Sequence, residues 1–231
     1  MAPLAQVGLI ALLALGLALW RPSTKLLKYL MTLFHEVGHA AIALLLGGRI
    51  QHIKIQPDGS GVTSTAHTIS LRYKLVRIVE LLAGYSFPLN IGVILLGLGL
   101  IGVDPIFMLG FTALVSLFTL LFVRNLFGLL VVLVYSALPI TAYVLKDAIP
   151  INYTISLIAF LLIFGGVRDI KDATRMTFSR QNNKDNNNND FHLLRDETLV
   201  PAKIWNVGFI LCEAITVASI VFLFFNYQNM V

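Results

Sequence analysis

The feature that most limits what this chain can become is its series of apolar runs, each close to the length that crosses a lipid bilayer. A spanning helix needs about 20 mostly apolar residues. Of the 231 residues, 57% are hydrophobic and only 13% charged, against about 25% charged in an ordinary soluble domain. A soluble fold has no place for so much apolar surface, so the chain is expected to be an all-α polytopic membrane protein in contact with a lipid bilayer. Runs at residues 3–20, 24–46, 73–103, 107–123, 126–145, 151–164 and 204–225 predict about seven transmembrane helices in a single membrane-embedded domain.

The breaks between runs carry their own signals. Ser23 reads as an N-cap and Gly47-Gly48 as a stop for the second helix. Residues 49–68 are β-branched sequence around Pro57-Asp58-Gly59 and predict a β-hairpin. Gly84 and Pro88 are expected to interrupt the third helical region, and Gly165-Gly166 to end the sixth helix. Residues 179–190 form an asparagine-rich, low-complexity tract and are expected to be a disordered loop. The first run has no basic flank and no clear cleavage site, so it reads as a retained helix rather than a signal peptide.

The net charge of +5 is modest. Its basic residues flank the apolar runs, as membrane interfaces require, so nucleic acid is not an expected partner. The positive-inside rule places the hairpin region and the long polar loop in the cytoplasm. The single cysteine, Cys212, excludes an intrachain disulfide.

Inside the second run stands His35-Glu36-Val37-Gly38-His39. Residues four apart project from nearly the same helix face, so the two imidazoles can share one Zn²⁺. Glu36 is offset by about 100° and is left free to act as general base toward a water that zinc acidifies to a pKa of about 7. An acidic residue at the centre of a membrane helix costs about 2.5–3.5 kcal/mol on insertion scales and is functional by default. Zn²⁺ is therefore the expected cofactor, His35 and His39 its ligands, and Glu36 the catalytic residue.

Phe34-His35-Glu36-Val37-Gly38-His39-Ala40 in an apolar helix, followed by Gly47-Gly48 and a hairpin, resembles the site-2-protease family of intramembrane zinc metallopeptidases. The resemblance implies a membrane-protein or transmembrane-peptide substrate cut within or near the bilayer. Residues 83–90, Ala-Gly-Tyr-Ser-Phe-Pro-Leu-Asn, are similar to a degenerate form of that family's Gly-Pro-x-x-Asn element, which implies that Asn90 lies near the site. The family's third ligand is an aspartate in a late Asp-Gly motif, and this chain has no clean copy. Asp169 is preferred, because it follows Gly165-Gly166 at the end of the sixth helix. At 1.5 Å per residue it lies about 27 Å from that helix's start and His39 about 24 Å from the start of the second, so reach is feasible. Asp190 is the next choice, with N-capping of a short helix over residues 191–198 as its ordinary role. Asp58 comes last, since it reads as a turn residue.

Other polar residues have quieter expectations. Arg124 and Asn125 read as a loop, with the lining of a water-filled cavity as the alternative, Glu213 as the partner of a basic residue, and His52, His67 and His192 as surface residues. Two rival functions stand beside the protease. One is a non-proteolytic membrane protein that uses the metal site to bind or regulate partners. The other is a metal-ion carrier, which ought to spread acids and histidines at one depth over several helices.

Overall fold

A computed structural model describes residues 4–67, 73–179 and 189–230. In chain order these form α1 (Leu4–Leu19), α2 (Arg21–Leu45), β1 (Arg49–Ile55), β2 (Gly61–Ala66), α3 (Tyr73–Leu100), α4 (Pro105–Phe122), α5 (Leu126–Val144), α6 (Ile151–Phe178), α7 (Asp190–Thr198) and α8 (Ala202–Met230). The helical architecture and the hairpin after the second helix match the sequence reading. The number of spans is lower. Among the described residues five helices are long and apolar enough to cross a membrane: α3, α4, α5, α6 and α8. The count becomes six if α1 and α2, bent by 97° at their junction, form one broken span. The bend has a local cause. Trp20 is extended, and Pro22 at the start of α2 has no N–H to continue the ladder of α1. Helix α2 thus begins at Arg21, ahead of Ser23.

Two expected interruptions are continuous helix. Pro88 lies inside α3, where it removes one ladder bond without ending the helix. Gly165 and Gly166 lie inside α6 and act as close-packing positions rather than a stop. A Cβ on Gly165 would run into the Met31 side chain of α2, and one on Gly166 would stand 3.1 Å from Leu89 of α3. Small residues that let helix backbones approach are the usual adhesive of membrane bundles. Beyond them α6 continues through Arg168, Asp172 and Arg175, whose charges face each other one turn apart.

The hairpin folds back along α2 and is built into the bundle. Ile53 and Ile55 are fully buried, Ile55 among Leu33, Val131 and Val132. Its turn is fastened to α2 by three successive carbonyls. Tyr29 donates to Pro57 O at 2.6 Å, Lys28 to Asp58 O at 2.7 Å and Thr32 to Gly59 O at 2.7 Å. Gly59 has φ +82° and packs directly on the Lys28 stem. Non-helical backbone beside spanning helices must have its polar groups satisfied by protein. The α4–α5 linker does this for the outer edge of β1. Arg124 N donates to Ile53 O, and the Asn125 side chain both donates to Ile55 O and accepts from Ile55 N. Residues 123–125 therefore cover the outer edge of β1. The expected disordered tract falls mainly on residues 180–188, outside the described residues.

Candidate metal centre

The two histidines sit where α2 crosses α3 at close range. Gly38 faces α3: a Cβ there would stand 2.6 Å from Ala83 O. Gly84 faces α2: a Cβ there would stand 2.6 Å from His39 Cε1 and Nε2 and 2.7 Å from His35 Cε1. The absence of a side chain at Gly84 makes the seat for both rings. One turn earlier, the Glu80 carbonyl accepts from His39 Nδ1 at 2.8 Å. A carbonyl cannot donate, so Nδ1 carries the proton and the lone pair of the neutral ring is on Nε2. This is the usual way a ligating histidine is oriented.

Asp190 completes a group of three. His35 Nε2 and His39 Nε2 are 3.0 Å apart, and Asp190 Oδ2 lies 3.1 Å from the first and 3.6 Å from the second. Despite that proximity Oδ2 is buried and receives no well-directed hydrogen bond. Two imidazole nitrogens and an orphaned carboxylate oxygen converging in a buried site form a donor set for a cation. Ligands held at about 2.0–2.1 Å around a tetrahedral ion stand roughly 3.3 Å apart, which the observed spacings match.

Local sequence explains how Asp190 arrives. Asn189, not Asp190, caps α7: its Oδ1 accepts from His192 N at 3.1 Å. Its Nδ2 donates to Thr177 Oγ1 at 3.0 Å, which ties the start of α7 to α6. The Asp190 carboxylate is thereby released from capping. Tyr85 sets the other side. It stacks on Phe191 at 5.2 Å between centroids and meets His35 edge-on at 4.7 Å. Phe191 and Leu194 are fully buried against α3 and α8, and α7 ends at Leu199 in the left-handed conformation.

Asp169, the carboxylate preferred from the sequence, is not in the group of three. The preference assumed that α6 ended nearby. Instead Asp169 sits mid-helix, near enough to His35 to interact through space. Asp58 is a turn residue: Ser60 donates to it through both N–H and hydroxyl, which hold its carboxyl below the usual range. Asn90 and Ser86 bond the two carboxylate oxygens of Glu213 in α8, so Glu213 pairs with neutral donors rather than a basic residue. His192 is buried and His67 pairs with Glu80, against the surface expectation.

Glu36 is buried and lies outside the group of three. Its carboxylate rests on β2: Thr63 Oγ1 donates to Oε2 at 2.6 Å, and Gly61 leaves room for Oε1, which a Cβ there would strike. Strand β2 pairs only with β1 among the described residues. Beside it opens a cavity of about 550 Å³ lined by residues 62–65, His67, Tyr73, Arg77 and Glu197. Gly84 and Tyr85 lie in the stretch similar to the family's Gly-Pro-x-x-Asn element, but neither they nor Thr63 and Asn189 were expected as site residues.

The family model described as Peptidase M50B-like matches residues 8–220. No curated protein and no solved structure matches the chain.

Proposed function

This chain belongs to the Peptidase M50B-like family, and from that premise we propose that it is an intramembrane zinc metalloprotease that hydrolyses peptide bonds of membrane-protein substrates within or near the bilayer. It is an integral, multi-pass membrane protein, and its family is one of metallopeptidases. The observation that carries the finer reading is the convergence of His35, His39 and Asp190 on one point, with the buried Glu36 close enough to His39 to interact through space.

In this reading the two imidazoles and Asp190, in place of Asp169, hold the ion. Zinc, when bound, supplies Lewis acidity to the substrate carbonyl and to water. Glu36 takes the proton from the attacking water and returns it to the leaving amine. Thr63 holds Glu36 Oε2 and so fixes the carboxylate's direction. Glu80 O keeps His39 in the tautomer that leaves Nε2 free. Gly84 and Tyr85 keep both rings in place and exclude bulk water from the α2–α3 crossing.

A helical substrate has its carbonyls tied up in hydrogen bonds and must be extended before attack. Strand β2 supports a route by strand addition. Its outer edge borders the cavity, and its Thr63 touches Glu36. Strand β1 cannot serve, since residues 123–125 already occupy its outer edge.

The test is cleavage of a membrane reporter by the wild type and by Glu36→Gln, with zinc content measured for both. Zinc retained at about one ion per chain, with cleavage lost by at least about 10³-fold, is expected of a missing general base in a residual site. A protein that binds metal only to bind or regulate partners cleaves with neither form, and that outcome defeats the protease reading.

A further inference from the structure

Thr65, His67 and Arg77 do two things at once. They line the cavity beside β2, and they hold one buried acid, Glu80 of α3. Thr65 Oγ1 donates to Glu80 Oε1 at 2.7 Å and Arg77 Nη1 to the same oxygen at 3.0 Å. His67 Nε2 donates to Oε2 at 2.8 Å. Glu80 is 1% exposed. A carboxylate so deep is tolerable because each oxygen meets a donor and Arg77 brings the opposite charge. The main-chain carbonyl of this same residue accepts from His39 Nδ1.

The side chain takes no part in the chemistry above, and a residue of any type at position 80 would offer a carbonyl. What the glutamate adds is placement. One turn further on, α3 lacks a rung of its own ladder, because Pro88 has no N–H for the carbonyl of Gly84. Gly84 itself offers no side chain for packing. With the helix weakened just beyond it, the turn that carries the His39-orienting carbonyl is held from outside by what grips the Glu80 carboxylate, and that grip comes from the hairpin and from Arg77.

We propose that Glu80 is a positioning residue for the metal centre, whose carboxylate fastens the His39-orienting turn of α3 to the end of the β2 edge. The proposal rests on the reading of His35, His39 and Asp190 as ligands. Glu80 acts through His39 and touches neither ion nor substrate.

The experiment uses the full chain in detergent, with zinc affinity measured by competition and the site reported by the visible spectrum of Co²⁺ in place of zinc. Glu80→Ala is expected to lower zinc affinity by about 10–100-fold, the usual loss when a ligand's support is removed. Its cobalt bands shift, and cleavage loses kcat while KM stays within about twofold. Glu80→Gln keeps an acceptor for Thr65 and Arg77 and recovers most of the loss. Wild-type affinity and an unchanged cobalt spectrum in Glu80→Ala overturn the proposal. Should Glu80→Ala not fold, Thr65→Val removes a single grip. It then loses zinc affinity about threefold, somewhat under the worth of one hydrogen bond, and unchanged affinity there overturns the proposal equally. A wild type that binds no zinc at all defeats the ligand reading instead, a separate result.

Discussion

Two of the polar clusters buried against α3 are chemical opposites. At the α2 crossing, the Nε2 atoms of His35 and His39 and the Oδ2 of Asp190 converge, and Asp190 Oδ2 has no well-directed donor. At the α8 contact, Glu213 presents acceptors to donors: Ser86 at 2.8 Å and Asn90 at 2.7 Å. There Asn90 Oδ1 alone is left over. Both clusters place an acid among apolar helices, which composition alone cannot rank. Hydrogen-bond accounting ranks them. A cluster whose donors and acceptors match is structural glue. One whose acceptors converge is stable only around a positive charge.

The contrast is broken most directly at Asp190. Zinc sites with a full set of protein ligands bind with roughly 10–16 kcal/mol of apparent free energy. One of the four ligands in such a site carries about 2.5–4 kcal/mol, so Asp190→Ala is expected to weaken zinc binding by about 10²–10³-fold in a competition assay. Retained affinity would return the third ligand to another acid. The next effect in size comes from Gly84→Ala, which adds no charge and removes no ligand. Its Cβ would stand 2.6 Å from His39 Nε2, so both rings must shift. Misplacement by about 1 Å costs catalysis on the order of 10²-fold, and reporter cleavage is expected to fall by that much with zinc still bound.

These residues show what the sequence could and could not disclose. His35, Glu36 and His39 were legible because helical periodicity alone places them on one turn. The hairpin was legible from its turn residues and β-branched flanks. The proposed third ligand, Asp190, was legible only as a second choice after Asp169. It arrives from a separate helix more than 150 positions later in the chain, and its approach depends on Asn189 taking over the cap and on Phe191 stacking against Tyr85. Asp169 was preferred because Gly165-Gly166 resembles a helix stop. In a bundle the same pair is a packing surface for Met31 and Leu89, and local sequence does not distinguish the two uses. The span count of about seven, against five to six, differs for a related reason. A run of apolar residues does not reveal a 97° bend.

Asp169→Asn sharpens the contrast further. Asp169 interacts with His35 through space but belongs to no converging set. Removing its charge takes away attraction for a cation without removing a ligand. At an effective dielectric of about 20 that attraction is a small part of the whole. Zinc affinity is expected to fall by less than about tenfold, and the Co²⁺ spectrum, which reports the ligand set, to stay as in the wild type. A changed spectrum would place Asp169 among the ligands.

The smallest effect on metal is expected at the other cluster, and it tests the contrast from the opposite side. Glu213→Ala leaves the Ser86 hydroxyl and the Asn90 amide without their acceptor at a buried contact. An orphaned donor costs about 1–3 kcal/mol, so α8 should dock less firmly on α3 and thermal unfolding should begin at a lower temperature. Zinc bound per folded chain should be unchanged, because neither Ser86 nor Asn90 touches His35, His39 or Asp190. Glu213→Gln keeps one acceptor and should recover part of the stability. If Glu213→Ala instead released zinc while the helices stayed folded, the two clusters would be one connected network. Matching donors to acceptors would then no longer separate structural acids from functional ones in this protein.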